Sequence, residues 1–366
     1  MMVEPAPVAS GSYAPGDVTF LLKPVAMATM DLATKERLLQ SGARHYSEML
    51  GAEEPPSAQY MALYHEAMAR WGARLAADVL HLAGCLHAMR PTGEVVLVSL
   101  ARAGTPLGVL LKRLLEKVFG RQVAHYAISI IRDRGLDWQA LRWIVARHDP
   151  KGIVFVDGWC AKGAIARELE ASLATWHDAG QPAVPTTLAV VADLCGAAHL
   201  AASDADYLIP SAILGGTVSG LVSRTILRDD LIGPDDFHGC LIQQHLAPHD
   251  VSRSFVDTIT QQAMRLASQP QPQRTLRPAQ LRRQAMAALM AQLAQRHGAT
   301  DPRLVKPGIG EATRVLLRRL PERLLLRDIQ SVDVAHLLLL AEKRGCAVEQ
   351  APWLPCEAVT LIGRVS

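Results

Sequence analysis

The middle of the chain repeats one pattern, a short unbroken apolar run followed by a helix-like stretch. EVVLVSL (94–100), QVAHYAIS (122–129), GIVFVD (152–157) and TTLAVVAD (186–193) are the runs. Helical segments over 106–119, 137–147 and 163–179 separate them. Runs that do not alternate with polar residues are the signature of strands buried on both faces. Their alternation with helices predicts an α/β fold with a parallel sheet covered on both sides. Ahead of the runs, 31–50 and 57–89 read as long helices. In parallel sheets of this kind, ligands bind beyond the carboxyl ends of the strands. That directs attention to the Ser99–Gly104 turn, Asp157 and Asp193.

Beyond the sheet pattern, polar and proline-rich stretches mark the boundaries. Residues 1–16 are rich in Pro, Gly, Ser and Ala and are expected to be a flexible N-terminus. SQPQPQRTLRPAQ (268–280) reads as a linker. Past it come a helix over 281–297, the segment 304–330, a helix over 332–345 and a closing strand over 357–363. The expected organisation is therefore a main domain at 17–267, a linker at 268–280 and a small α/β domain at 281–366.

Composition excludes some function classes. With 49% hydrophobic and 20% charged residues, the chain can build a sizeable core. A net charge of +3 is too small to imply nucleic-acid binding by itself, so any basic patch must be local. The six cysteines, at 85, 160, 195, 240, 346 and 356, make no C-x-x-C pair, which fits a reducing cytoplasm. No apolar run approaches the roughly 18 residues of a membrane span, and the N-terminus lacks a signal-peptide pattern. A cytoplasmic protein without a membrane partner is expected.

IVFVDGWCAKGAI (153–165) carries the sharpest candidate chemistry. A strand ending in Asp157, then a glycine turn into a helix, suits a sugar phosphate. Unpaired amides at a helix start attract phosphate, and Gly163 lets the oxygens approach the backbone. Asp157 can accept from ribose hydroxyls, and Lys162 adds a cation. A plain strand–turn–helix joint remains the competing reading.

The segment resembles the phosphoribosyl-pyrophosphate motif of type I phosphoribosyltransferases. Asp157 falls on its first acidic position. Gly158 stands where a second acid is usual, and Lys162–Gly163, flanked by Ala161 and Ala164, fall on the end of its phosphate loop. VVLVSLARAGTPLGVLLKRLL (95–115) is similar to the pyrophosphate loop of that family, with Ser99, Arg102, Ala103 and Gly104 as its members. AISIIRDRGLDWQAL (127–141) places Arg132 and Arg134 on a mobile loop that would close over pyrophosphate. More specifically, residues 17–268 resemble the phosphoribosyltransferase-like family of bacterial tellurite-resistance and stress operons, some members of which are named cysteine protease StiP. The shared phrases are SGSYAPGDVTFLLK (10–23), SGARHYSEML (41–50), FVDGWCAKGAI and GGTVSGLVSRTIL (215–227). In the last, Thr217, Ser219, Ser223 and Arg224 line an acceptor or phosphate side, or simply cap a helix.

In the tail, KPGIGEATRVLLRR (306–319) resembles the RNA-contacting signature of the Pelota and ribosomal kink-turn-binding fold. The resemblance implies RNA contacts from Lys306, Gly308, Gly310, Glu311 and Arg314, with Arg318 and Arg319 adding positive charge. An amphipathic helix packed on the main domain is the alternative.

Together these resemblances imply a phosphoribosyltransferase acting on phosphoribosyl pyrophosphate with Mg²⁺ and an unidentified small acceptor. Asp157, Arg102 and Arg132 would be its catalytic residues, and the enzyme would be fused to a module for structured RNA. A homo-oligomer is left open. Two other readings stay in play: a non-catalytic sugar-phosphate sensor with an RNA output, and a thiol hydrolase at Cys160. His238, Cys240, His245 and His249 cluster in sequence, but their spacing fits no common metal-ligand pattern.

Overall fold

The computed structural model describes residues 8–270 and 274–363. The first lobe opens with β1 (Val8–Ala9), β2 (Thr19–Phe20), β3 (Lys23–Pro24), α1 (Leu32–Gln40) and the 32-residue α2 (Ala58–Met89). It continues with β4 (Val95–Leu100), α3 (Gly104–Lys117), β5 (Val123–Ile128), β6 (Ile130–Ile131), β7 (Gly135–Leu136) and α4 (Trp138–Val145). Next come β8 (Ile153–Cys160), α5 (Ala164–Asp178), β9 (Leu188–Asp193), β10 (Leu200–Ser203), β11 (Gly239–Cys240) and α6 (Ser252–Ala267). The second lobe holds α7 (Ala279–His297), β12 (Val305–Pro307), α8 (Ile309–Arg318), β13 (Pro321–Leu326), α9 (Ala335–Arg344), β14 (Ala347–Gln350) and β15 (Ala358–Ile362).

Seven strands form the main sheet in the order β1-β2-β5-β4-β8-β9-β10, parallel from β2 to β10. Alternate residues of one strand feed opposite cores. Val154 and Val156 of β8 join α2, α3 and α6, while Ile153 and Phe155 join α4, α5 and α7. This two-sided burial is why the runs read as continuously apolar. A second sheet, β12-β15-β13-β14, builds the tail. Both cores run on into it: Leu324 and Leu326 belong to the first cluster, and Leu325 and Val359 to the second.

Three expectations change here. From Val8 onward the N-terminus is not loose. Val8 and Ala9 pair antiparallel with β2, and Tyr13 is buried with its hydroxyl donating to the Val218 carbonyl at 2.8 Å. The linker is fastened after 271–273, which lie outside the described residues. Arg274 pairs with the buried Asp78, and Arg277 Nε meets Asp204 at 2.6 Å. Finally, β8 does not stop at Asp157. Pairing with β9 through Trp159↔Ala192 and Cys160↔Asp193 carries the strand three residues further. Gly158 read as a turn residue, but a paired neighbour strand overrides that local preference.

Candidate functional site

The extended β8 shortens the expected 158–163 loop to Ala161, Lys162 and Gly163. Gly163 takes a left-handed φ of +75° and leads into α5. The Lys162 ammonium does not point at an open anion site. It donates to the carbonyl oxygens of Pro302 and of Val305, the latter at 2.7 Å, and so joins the two lobes. Burial, with Lys306 next in effect, lowers its pKa to about 7.

The expected pyrophosphate loop is also committed elsewhere. Ser99 lies inside β4, fully buried, with its hydroxyl donating to the Gly104 carbonyl and meeting His125 Nε2 at 2.8 Å. Gly104 lets α3 start against the sheet, since a Cβ there would overlap the Val156 carbonyl. Arg102 follows a cis Ala101–Arg102 peptide. Its guanidinium grips Glu53 at 2.5 and 2.8 Å and donates to the Val222 carbonyl and Gln243 Oε1. Arg102 is therefore a neutralised structural cation.

Arg132 and Arg134 sit on the turn of the β6–β7 hairpin, which is tied down at several points. The Arg132 amide donates to the Tyr46 hydroxyl at 2.7 Å, Glu168 accepts from the Asp133 and Gly135 amides, and Arg134 pairs with Glu48. A free closing loop is thus replaced by a braced hairpin.

Asp157 does line a cleft, at the level where β4 ends but three residues before the end of β8. The cleft, of about 210 Å³, is lined by Ala101, Arg102 and Ala103 after β4, by Asp157 and Trp159 of β8, and by Tyr46, Ser219 and Arg224. Its far wall is α8, with Arg314, Leu317 and Arg318. The Asp157 carboxylate accepts from the Gly158 amide at 2.8 Å. Burial raises its pKa to about 6, against the pull of Arg314. Asp157 is the one carboxylate lining this cleft among the described residues, and it faces a cation. The residues present do not fit a protein-held Mg²⁺.

The tail signature points inward. Gly310 packs flat on Trp159, where a Cβ would overlap the indole, and the Arg314 guanidinium lies over the same ring at 4.3 Å. Arg314 also donates to Glu311 at 2.8 Å. Gly308, with φ +87°, lies against Leu194 and Asp206. Asp206 accepts from the amides of Ile309 at 3.0 Å and Glu357 at 2.8 Å, so the first lobe caps α8. Burial lifts the Asp206 carboxyl to about 6. The Lys306 side chain is buried near Glu311 and makes no hydrogen bond of its own among the described residues. Candidate sites far apart along the sequence are two walls of one junction.

Around this junction Lys35, Arg132, Arg224, Lys306, Arg314, Arg318 and Arg319 line a single cavity with Glu311. Sequence reasoning missed Lys35, Tyr46, Glu53, Trp159, Asp206 and Gln243. Nothing in an amphipathic helix marks Lys35 or Glu36 as buried, yet both are.

Cys160 is buried, its thiol 3.5 Å from that of Cys195. The neighbouring thiol and burial both push its pKa up. That opposes the thiolate a nucleophile needs. Asp193 lies beside the pair, but its carboxylate is taken by Arg282 at 2.8 Å and by the amides of Cys195, Gly196 and Ala198. His238 Nδ1 contacts Ser129, and His245 Nε2 meets the Glu53 carbonyl, so neither side chain is turned to a shared metal.

A family model described as "Tellurite-like stress resistance cysteine protease StiP" matches residues 11–260, and one described as "PELOTA RNA binding domain" matches residues 284–364. Over 97% of this chain and 94% of the relative, the sequence is 41% identical to "Cysteine protease StiP" of Acinetobacter baylyi. Among solved structures, the hypoxanthine phosphoribosyltransferase of Trypanosoma cruzi is 16% identical, with a TM-score of 0.28, over 38% of this chain and 81% of that one. At that similarity nothing is drawn from it. No described helix is long and apolar enough to cross a membrane.

Proposed function

The chain belongs to the tellurite-like stress resistance StiP family, and on that footing we propose that it binds a phosphorylated ribose compound in the cleft around Asp157. The observation that carries the reading is the setting of Asp157. A single buried carboxylate stands within β8 at the level where the neighbouring β4 ends, faced by Arg314 and with Arg224 and Arg318 in the same cleft. Asp157 accepts from vicinal ribose hydroxyls, and the guanidinium groups meet phosphate oxygens, for which their planar fork is suited.

The α8 wall of the cleft belongs to the segment matched as an RNA-binding domain. A ligand in the cleft therefore touches both lobes. This favours a sugar-phosphate sensor whose output is RNA binding. Phosphoribosyl transfer is the second reading, and the type I transferase resemblance of 95–115 and 153–165 supports it. Against it, Arg102 is held by Glu53 and no second acid follows Asp157. The cysteine-protease name of the relative finds no support in Cys160, whose thiol is buried and held protonated.

Calorimetric titration of phosphoribosyl pyrophosphate and ribose 5-phosphate into wild type and Asp157→Ala tests ligand binding. Equal affinity for both proteins removes the ribose role. Pyrophosphate release over a panel of nitrogenous bases separates transferase from sensor. For RNA, a gel shift with a kink-turn RNA at two salt concentrations is decisive. Absence of a shift in the wild type, or no weakening in Glu311→Ala with Arg314→Ala, retires that output.

A further inference from the structure

A cavity of about 400 Å³ lies between the tail and the segments that flank α1. Its walls are mostly apolar. Leu32, Leu50, Ile213 and Leu246 come from the first lobe, and Leu317 and Leu340 from the second. It borders the Asp157 cleft along Arg102, Leu214, Arg224, Leu317 and Arg318, but Asp157, Trp159 and Arg314 are not part of it.

The polar groups of these walls are committed. Glu53 accepts from Arg102, from Gln243 at 2.7 Å and from the Gly216 amide at 3.2 Å. Gly215 and Gly216 permit this close approach, since a Cβ on either would overlap an oxygen of Glu53 or Gln243. Arg224 donates to the Tyr46 and Met49 carbonyls, Lys35 to the Arg318 carbonyl at 3.2 Å, and Arg344 to the Leu316 and Leu317 carbonyls. Arg318 stands 4.0 Å from Glu53, and the Tyr60 hydroxyl donates to the Ile213 carbonyl at 2.8 Å. Asp31, Glu54 and Lys343 are exposed and belong to the rim. A charged ligand would leave water without a partner of its own, which is costly. One buried polar group is left over. Thr217 is only 3% exposed, lines the cavity, and its hydroxyl makes no hydrogen bond among the described residues.

Size narrows the ligand further. An apolar cavity of roughly 150 Å³ takes one benzene ring, and ordinary ligand pockets begin at roughly 300 Å³. A cavity of about 400 Å³ has room for two fused rings. We propose that it binds an uncharged, largely apolar two-ring molecule that hydrogen-bonds to Thr217. Contact with the leucines supplies the affinity, and the Thr217 hydroxyl sets the orientation. Because Leu317 and Leu340 belong to the tail, the ligand also fastens the two lobes together. The assignment does not require ribose at Asp157.

The test uses the full chain. Naphthalene, 1-naphthol and the anion 1-naphthalenesulfonate are titrated calorimetrically into wild type, Leu32→Trp and Thr217→Val. Leu32 is half-buried in the first turn of α1, so an indole there fills the cavity. 1-Naphthol should bind wild type at one site and raise its unfolding temperature, and the sulfonate should bind at least about tenfold more weakly. Leu32→Trp should weaken naphthalene and 1-naphthol alike, by at least about tenfold. Thr217→Val should weaken 1-naphthol about fivefold, the contribution of one hydrogen bond, and leave naphthalene unchanged. A merely structural Thr217 would not separate the two ligands. No binding to wild type, sulfonate binding as tight as 1-naphthol, or equal losses of both ligands in Thr217→Val would overturn the proposal, and none of these depends on the Leu32 variant. Wild-type affinity in Leu32→Trp would overturn it too. So would a wild-type dimer that Leu32→Trp dissociates, since a second copy would then fill the cavity. Ribose 5-phosphate, run in parallel, reports on the Asp157 cleft separately.

Discussion

Arg102 and Glu53, 49 residues apart, form a two-pronged ion pair at 2.5 and 2.8 Å that turns the expected pyrophosphate-binding arginine into a structural strut. Arg102, with Arg318 and Gln243 behind it, holds the Glu53 carboxyl well below the usual carboxylate range despite burial. Glu53→Ala leaves the buried Arg102 guanidinium without its counter-charge and should cost about 3–5 kcal/mol in urea unfolding. The pH sign follows from the lowered value. A carboxyl depressed in the fold stabilises above its unfolded pKa of about 4.3, and that stability is lost as pH falls below it. Glu53→Gln should therefore show a flatter decline in unfolding temperature on acidification than wild type.

Asp157 carries the opposite sign. Its pKa rises to about 6 in the fold, so the protonated form is favoured there. Its ionisation weakens the folded state as pH climbs from about 4 to about 6. Asp157→Asn keeps an acceptor for the Gly158 amide and removes the charge. It should stabilise the protein by about 2–3 kcal/mol at pH 8 and by close to nothing at pH 4. Chemical unfolding at the two pH values reads this difference directly, and equal effects at both would refute it.

The contact of Gly310 with Trp159 joins the lobes. Gly310→Ala forces a methyl into the indole and should destabilise by about 1–3 kcal/mol. In Trp159→Ala the added methyl has room, so the penalty should largely vanish. A double-mutant cycle measured by urea unfolding should give a coupling above about 0.5 kcal/mol. Additive losses would mean the two residues do not meet.

Cys160 should be inert in the folded chain. Its thiol is buried and pushed toward the protonated form, whereas Cys85 on α2 is only half-buried. Iodoacetamide at pH 8 should label Cys160 at least about tenfold more slowly than Cys85, as followed by peptide mass spectrometry. Fast labelling of Cys160 would restore the thiol-hydrolase reading.

The parallel sheet and the helices between its strands were legible because both faces of β4, β8 and β9 are buried, and that leaves unbroken apolar runs. The helices at 279–297 and 335–344 and the last strand at 358–362 fall close to the expected 281–297, 332–345 and 357–363. Strand ends were harder to read. Gly158 looks like a turn on its own, and only pairing with β9 carries the strand on to Cys160.

What the sequence determined by itself was the centre of the parallel sheet with the helices between its strands, the cluster of chemistry around Asp157, and a basic tail helix. Which of those charges remain free was decided by the tertiary structure. Arg102 finds Glu53, Lys162 finds the Pro302 and Val305 carbonyls, and Arg319 finds Glu36, each from a distant part of the chain. Lys35, Arg132, Arg224, Lys306 and Arg318 meet in one cavity, where Lys35 and Arg224 donate to backbone carbonyls and Arg318 lies 4.0 Å from a Glu53 already held by Arg102. Side-chain type is written in the sequence, but neutralisation is a property of distance. Distances between residues hundreds of positions apart exist only once the tail has docked on the sheet.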